Sequence, residues 1–209
     1  MTVHDPGAPR AGVLAGVVLA GGASRRMGRD KAALPGPGGR ALLEIAVDAL
    51  RAAGCAPLLV VSDRAGRRDA AALGAREVVD RRPGEGPLAG LEAGLEALAA
   101  TPGGGGWCLL LPCDVPRPDP LRLAALAATT RALGPADARA VVPRSGSPDG
   151  PRAQPLVAAY HVDCLPAVTA LLDGGARRLR DLLDRVGVRW LDWPEGAWCR
   201  DWDTPGEVG

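Results

Sequence analysis

The stretch "GVVLAGGASRRMGRDKAALP", Gly16 to Pro35, decides how the rest of the chain is read. Val17 to Ala20 is a continuous apolar run, the pattern of a strand covered on both faces. It ends in Gly21 and Gly22. Without a Cβ, both let the backbone turn sharply and come close to a ligand. Successive backbone N–H groups in such a turn form an anion-binding concavity. Arg25, Arg26, Arg29 and Lys31 then place four cations within seven residues. Arg offers a planar fork for phosphate oxygens, and Lys a compact point charge. Backbone donors ringed by cations suit a triphosphate. A glycine turn bearing solvated cations explains the same letters. Neither GxxxxGK[ST] nor GxGxxG is matched, because the glycines fall at 21, 22 and 28.

Downstream, short β-type runs alternate with helical ones. The apolar spacing predicts helices over Ala41–Ala53, Leu88–Ala100 and Pro120–Leu133. Strands are predicted at Pro57–Ser62, Arg76–Val79 and Trp107–Leu111. The second half is less regular: strands at Ala140–Pro143, Pro155–Tyr160 and Val188–Leu191, and helices at Val162–Leu172 and Arg178–Arg185. Strand–helix alternation predicts a mostly parallel sheet with helices on both faces. Ligands of such sheets sit outside the carboxyl ends of the strands, so chemistry is expected after Ala20, Ser62, Val79 and Leu111.

The 209 residues suit one domain, expected over 13–209 behind a disordered tail at 1–12. A net charge of +1 supplies no global field toward nucleic acid or membrane, so anion binding must be local. No run is long and apolar enough for a membrane helix, and no secretion signal is evident. Cys55, Cys108, Cys113, Cys164 and Cys199 form no CxxC or zinc spacing; reduced thiols in a cytoplasmic protein are expected. His4 and His161 do not cluster. Four tryptophans near the end, Trp190, Trp193, Trp198 and Trp202, are expected to pack a C-terminal arm on the sheet.

"LAGG" followed by "RMGRDK" resembles the signature of nucleotidyltransferases with a nucleotide-diphosphosugar-transferase-like fold. Within that group it is most similar to the molybdenum cofactor guanylyltransferases. The matching positions are Leu19, Ala20, Gly21, Gly22, Arg26, Met27, Gly28, Asp30 and Lys31. The resemblance implies a three-layer α/β/α, Rossmann-like fold, with the glycine loop around nucleotide phosphates and Lys31 touching them. "GPLAG" (Gly86, Pro87, Leu88 and on to Gly90) matches a loop of the family's nucleotide site, with Asp80 as the acidic residue ending the preceding strand. By itself GPLAG is ordinary helix punctuation. Ser62 falls where the family can carry Asn in contact with nucleotide.

"LLLPCDVP" holds Asp114 directly after a strand, where a carboxylate has no core role. The resemblance implies that Asp114 binds Mg²⁺; a cap or turn aspartate is the plainer explanation. "DWDTPGEV" resembles the family's closing motif. Thr204 and Glu207 fit a capping box. Alternation would aim Asp201 and Asp203 to one side, making Asp203 a candidate second metal contact. Arg152 and Gln154, in "PRAQPLVAAY", and Arg177 and Arg178, in "GGARRLRDLL", match segments near the family's acceptor. Loop and solvated-helix roles fit these four equally.

The implied activity is transfer of GMP from GTP to molybdenum-molybdopterin with release of pyrophosphate. Lys31, Arg26 and Asp114 would carry it, without nucleic acid or membrane, and with transient contacts to cofactor-biosynthesis proteins or recipient enzymes. Two alternatives stand beside it: a cytidylyl or other NTP transferase with a different phosphorylated acceptor, and a non-catalytic nucleotide-binding protein that delivers cofactor.

Overall fold

An apolar run without a polar face is stable as a strand only when both faces are covered, and β1, Leu14–Leu19, is buried throughout. The computed structural model describes residues 13–21, 31–66, 68–101, 105–134, 136–146 and 150–193. The expected tail, the segment with Gly22, Arg26, Met27, Gly28 and Asp30, and the closing motif with Asp203 lie outside them.

β1 sits centrally, with β2 (Leu58–Ser62) on one side and β4 (Trp107–Pro112) on the other, both parallel to it. β3 (Arg76–Val79) adds in parallel beyond β2. β7 (Ala158–His161) then runs antiparallel to both β4 and β5 (Ala140–Ser145). A short β6 (Arg152–Ala153) pairs with the end of β5, and β8 (Val188–Trp193) lies parallel along β5. The eight-stranded order is β3-β2-β1-β4-β7-β5-β6, with β8 on β5.

Alternate strand residues feed two cores. Val18, Leu109, Leu111 and Val141 point toward α1 (Leu42–Ala52) and α4 (Pro120–Ala132). Val17, Leu19, Leu110 and Val142 point toward α3 (Pro87–Ala99), α5 (Leu165–Asp173) and α6 (Leu179–Leu183). Each fully buried Leu or Val in these layers contributes about 1.5–3 kcal/mol relative to exposure. This is the expected three-layer α/β/α arrangement. In α3, Gly90 and Gly94 face Leu19 and Val17; an added Cβ would stand 2.8 Å and 3.0 Å from them, so the helix lies tight on β1.

Differences from the expected elements are local. Arg68–Ala72 forms a short helix, α2, that the periodicity did not reveal. The helix expected over Val162–Leu172 divides into a 3₁₀ turn, Val162–Cys164, and α5. Pro166 stands near the start of α5, where a missing N–H costs nothing. The strand expected from Pro155 begins only at Ala158, because Gln154 and Val157 close a turn between β6 and β7. Trp193 packs against the α1/α4 core, while Trp190 stays 37% exposed.

Candidate active site

Strand register brings the expected residues to one edge of the sheet. Leu19 at the end of β1 pairs with Val61 of β2 and Pro112 of β4. The backbone continues this past the strand ends: Ala20 N–H donates to Val61 O at 2.8 Å, and Cys113 N–H to Leu19 O at 3.0 Å. Gly21 therefore emerges between the ends of β2 and β4. Its missing Cβ is a requirement of space, since a Cβ there would lie 3.0 Å from the Asp63 nitrogen. Asp114 follows Cys113 on the same edge and is partly buried. Lys31 opens the 3₁₀ turn Lys31–Ala33, and Ala32 of that turn is buried in the α1/α4 core.

Asp80 lies at the same edge, two strands from Gly21 in the other direction. Val79 pairs with Ser62, and Asp80 N–H donates to Ser62 O at 2.8 Å. Ser62 is buried and its hydroxyl donates to Arg64 O at 2.7 Å, so its side chain serves the β2 turn. The Asp80 carboxylate accepts the Arg82 N–H at 2.7 Å. Burial raises its pKa above the ordinary carboxylate value; the Arg82 N–H pulls it down, and Glu92, Glu85 and Asp63 push it up.

Along the edge the order is thus Asp80, Ser62, Gly21, Asp114. Adjacent strands are spaced at about 4.7–4.9 Å, so Asp80 and Asp114 stand roughly three spacings, about 14 Å, apart. Beyond Asp114, Arg152 pairs with Ser145 and Gln154 N–H donates to Pro143 O at 2.8 Å. These two continue the row on the side away from Asp80.

Arg177 and Arg178 do not join them. Gly86, with φ +85°, ends the loop after β3 and packs on Arg177: a Cβ would lie 2.9 Å from the Arg177 carbonyl oxygen. That carbonyl also accepts the Leu88 N–H at 3.4 Å. The Arg177 guanidinium donates to Leu172 O and Ala176 O at 3.1 and 2.8 Å and pairs with Glu85 at 3.4 Å. It buttresses the GPLAG loop. Arg178 is largely exposed and pairs with Asp181 in its own helix.

One group of residues here was not anticipated. Glu92, buried on α3, pairs with Arg82 at 3.0 Å and accepts the Thr169 hydroxyl at 2.7 Å. Arg82 also pairs with Asp173 at 2.7 Å. The signal was present as two acids, Glu92 and Glu96, inside the apolar helix "PLAGLEAGLEALA"; Glu92 is the buried one, and a buried charge demands a partner.

A parallel β3-β2-β1-β4 half, with Gly21 and Asp114 past the carboxyl ends of its strands, defines an α/β domain of the Rossmann-like type. The MobA-like NTP transferase domain matches residues 16–188, and the chain belongs to that family of nucleotidyltransferases. It is 35% identical over 199 residues, 93% of each chain, to a Mycobacterium avium protein named "probable molybdenum cofactor guanylyltransferase". In structure it resembles the molybdopterin-guanine dinucleotide biosynthesis protein A of Archaeoglobus fulgidus, with a TM-score of 0.68, 21% identity, and coverage of 93% and 95% of the two chains. It also resembles a Mycobacterium tuberculosis protein solved in complex with manganese, with a TM-score of 0.60, 23% identity, and coverage of 90% and 91%.

Proposed function

We propose that the chain transfers GMP from GTP to the phosphate of molybdopterin, forming the guanine dinucleotide form of the molybdenum cofactor and releasing pyrophosphate. The observation that carries this is the row along the sheet edge: Asp80, Gly21 and Asp114 in order, then Gln154 and Arg152 beyond. An extended nucleoside triphosphate fits the first part, base toward Asp80 and phosphates toward Gly21 and Asp114. A phosphorylated acceptor at Gln154 and Arg152 would approach from the opposite side, as in-line displacement requires. The identity of the curated relative supports the choice of guanine and of molybdopterin. So does chemistry: an ionised carboxylate only accepts hydrogen bonds, and guanine presents N1–H and an amino group side by side.

In this mechanism an acceptor phosphate oxygen forms a bond to the α-phosphorus, and the bond from that phosphorus to the bridging oxygen of pyrophosphate breaks. The nucleophile is already an anion, so no strong base is needed. The Gly21 bend holds the triphosphate, and Lys31 and Arg26 offset charge on the leaving pyrophosphate. Among the described residues no group of three His, Cys, Asp or Glu side chains could hold a metal. A single carboxylate nevertheless fits Mg²⁺, which commonly binds one or two carboxylates together with substrate phosphates. Asp114, and Asp203 as a second ligand, would hold it. When bound it would supply charge neutralisation across the phosphate oxygens. The manganese complex of the structural relative supports a divalent ion.

We place the protein in the cytoplasm, working on small molecules, with transient contacts to proteins that supply or receive the cofactor. No helix among the described residues is long and apolar enough to cross a membrane, and Cys55, Cys108 and Cys164 are buried and in no disulfide among the described residues.

Pyrophosphate release is measured with each of the four NTPs, with Mg²⁺ or Mn²⁺, and with molybdopterin as acceptor. Release with GTP is expected. Release with CTP alone would assign a cytidylyl transferase, and release with none would assign a binding protein.

A further inference from the structure

We propose that Arg82 is a positioning residue for the nucleotide, holding Asp80 and the GPLAG loop in place by bridging α3 to the end of α5. This rests on the nucleotide site proposed above and adds a residue to it. Arg82 makes three connections from one position. Its backbone N–H donates to the Asp80 carboxylate at 2.7 Å. Its guanidinium reaches Glu92 on α3 at 3.0 Å and Asp173, the last residue of α5, at 2.7 Å. Glu92 is in turn fixed by the Thr169 hydroxyl of α5 at 2.7 Å. A second clasp closes the same loop three and four residues on, where Glu85 and Gly86 meet Arg177.

The expense of this arrangement argues that it has a task. Placing a carboxylate inside an apolar helix carries a desolvation penalty that an apolar residue would avoid, so a buried pair is weak support for stability. What the pair does supply is a fixed geometry for a loop that would otherwise span α3 and α5 through polar surface. The amide that holds Asp80 is backbone and survives substitution; what the Arg82 side chain supplies is the tie to α3 and α5 that fixes where that amide stands. The carboxylates facing Asp80 are Asp63 from the turn after β2, Glu85 from its own loop and Glu92 from α3. Arg82 pairs with Glu92 and so offsets the one on α3.

The test uses the full chain with Arg82→Met combined with Glu92→Gln, which removes the charges together and leaves no lone buried ion. The expected result is a KM for GTP raised about tenfold with kcat within about twofold and the acceptor KM unchanged. Arg82→Lys, alone, should recover part of the affinity. Asp173→Asn, a change at an exposed residue, should keep the fold and raise KM by a smaller factor. An unchanged KM in folded double variant and Asp173→Asn, or a parallel fall of kcat and Tm with KM constant, overturns the proposal. If the wild-type chain turns over no GTP, the failure lies in the proposed function. If it prefers another NTP, the same split is read with that nucleotide.

Discussion

Asp114 is the side chain on which the proposed chemistry turns. It stands one residue past Cys113, whose N–H is tied to the end of β1, so its place on the edge beside Gly21 is set by backbone hydrogen bonds. Asp114 belongs to neither apolar core. Asp114→Ala and Lys31→Ala are each expected to lower turnover roughly 10²–10³-fold, the usual effect of losing one preorganised electrostatic contact, with an unaltered circular dichroism spectrum. Wild-type-like turnover in either purified variant would refute its role. Asp80 makes a second prediction. Its carboxyl has a raised pKa, chiefly through burial, so it takes up a proton at a higher pH than an ordinary carboxylate. Only the ionised form accepts both guanine donors. Affinity for GTP should therefore begin to fall at a correspondingly higher pH as acid is added, and Asp80→Asn should weaken binding and flatten that limb. A GTP titration by calorimetry across the acid range reads both effects.

At the level of elements, the loop between β3 and α3 is the most constrained piece of the site. Gly86 has φ +85° and ψ −174°, a region essentially reserved for glycine. A Cβ there would also press on the Arg177 carbonyl, which is backbone and cannot swing away. Gly86→Ala is expected to cost about 1–3 kcal/mol of stability and to raise the KM for nucleotide, measured by urea unfolding and steady-state kinetics. The buried thiols belong to the strands and to the turns beside them. Burial pushes Cys55 and Cys164 up to about 12, and raises Cys108 as well. A thiolate is the reactive form, so Cys55, Cys108 and Cys164 should resist a disulfide reagent in the native protein and react after denaturation. Rapid native labelling of Cys108, checked by mass spectrometry, would contradict the packing of β4.

For the whole molecule, the two layers of helices have opposite duties. The α1/α4 side closes a core behind Asp114. The α3/α5/α6 side carries the Arg82 and Arg177 clasps behind the GPLAG loop. At the opposite edge of the sheet, His161 is buried beside Trp107 and accepts the Asp163 N–H through Nδ1 at 3.3 Å. Burial lowers its pKa, although the Asp163 carboxylate pulls the other way. A lowered folded-state value means that the unfolded chain binds the proton first. The stability tied to this neutral ring is present above about pH 6.5 and is lost as pH falls through the lowered folded value. Urea midpoints at pH 7.5 and 5.5 should differ by less in His161→Gln than in the wild-type chain.

Much of this could be read from the letters. The apolar runs at Val17, Leu58 and Trp107, with helical spacing between them, determined the parallel half of the sheet, because burial on two faces leaves no other pattern. The same reasoning put Gly21, Asp80 and Asp114 at the strand ends. Short β6 and α2 escaped because pieces of two and five residues carry no period. The neighbours of Arg177 match a segment near the family's acceptor, yet folding turns Arg177 against Gly86. The Arg82–Glu92–Asp173 connection joins residues up to 91 positions apart. Local sequence determined which residues stand at the ends of strands. Only the packing of α5 against α3 decided which charges meet, because an ion pair depends on distance in space and periodicity speaks only of distance along the chain.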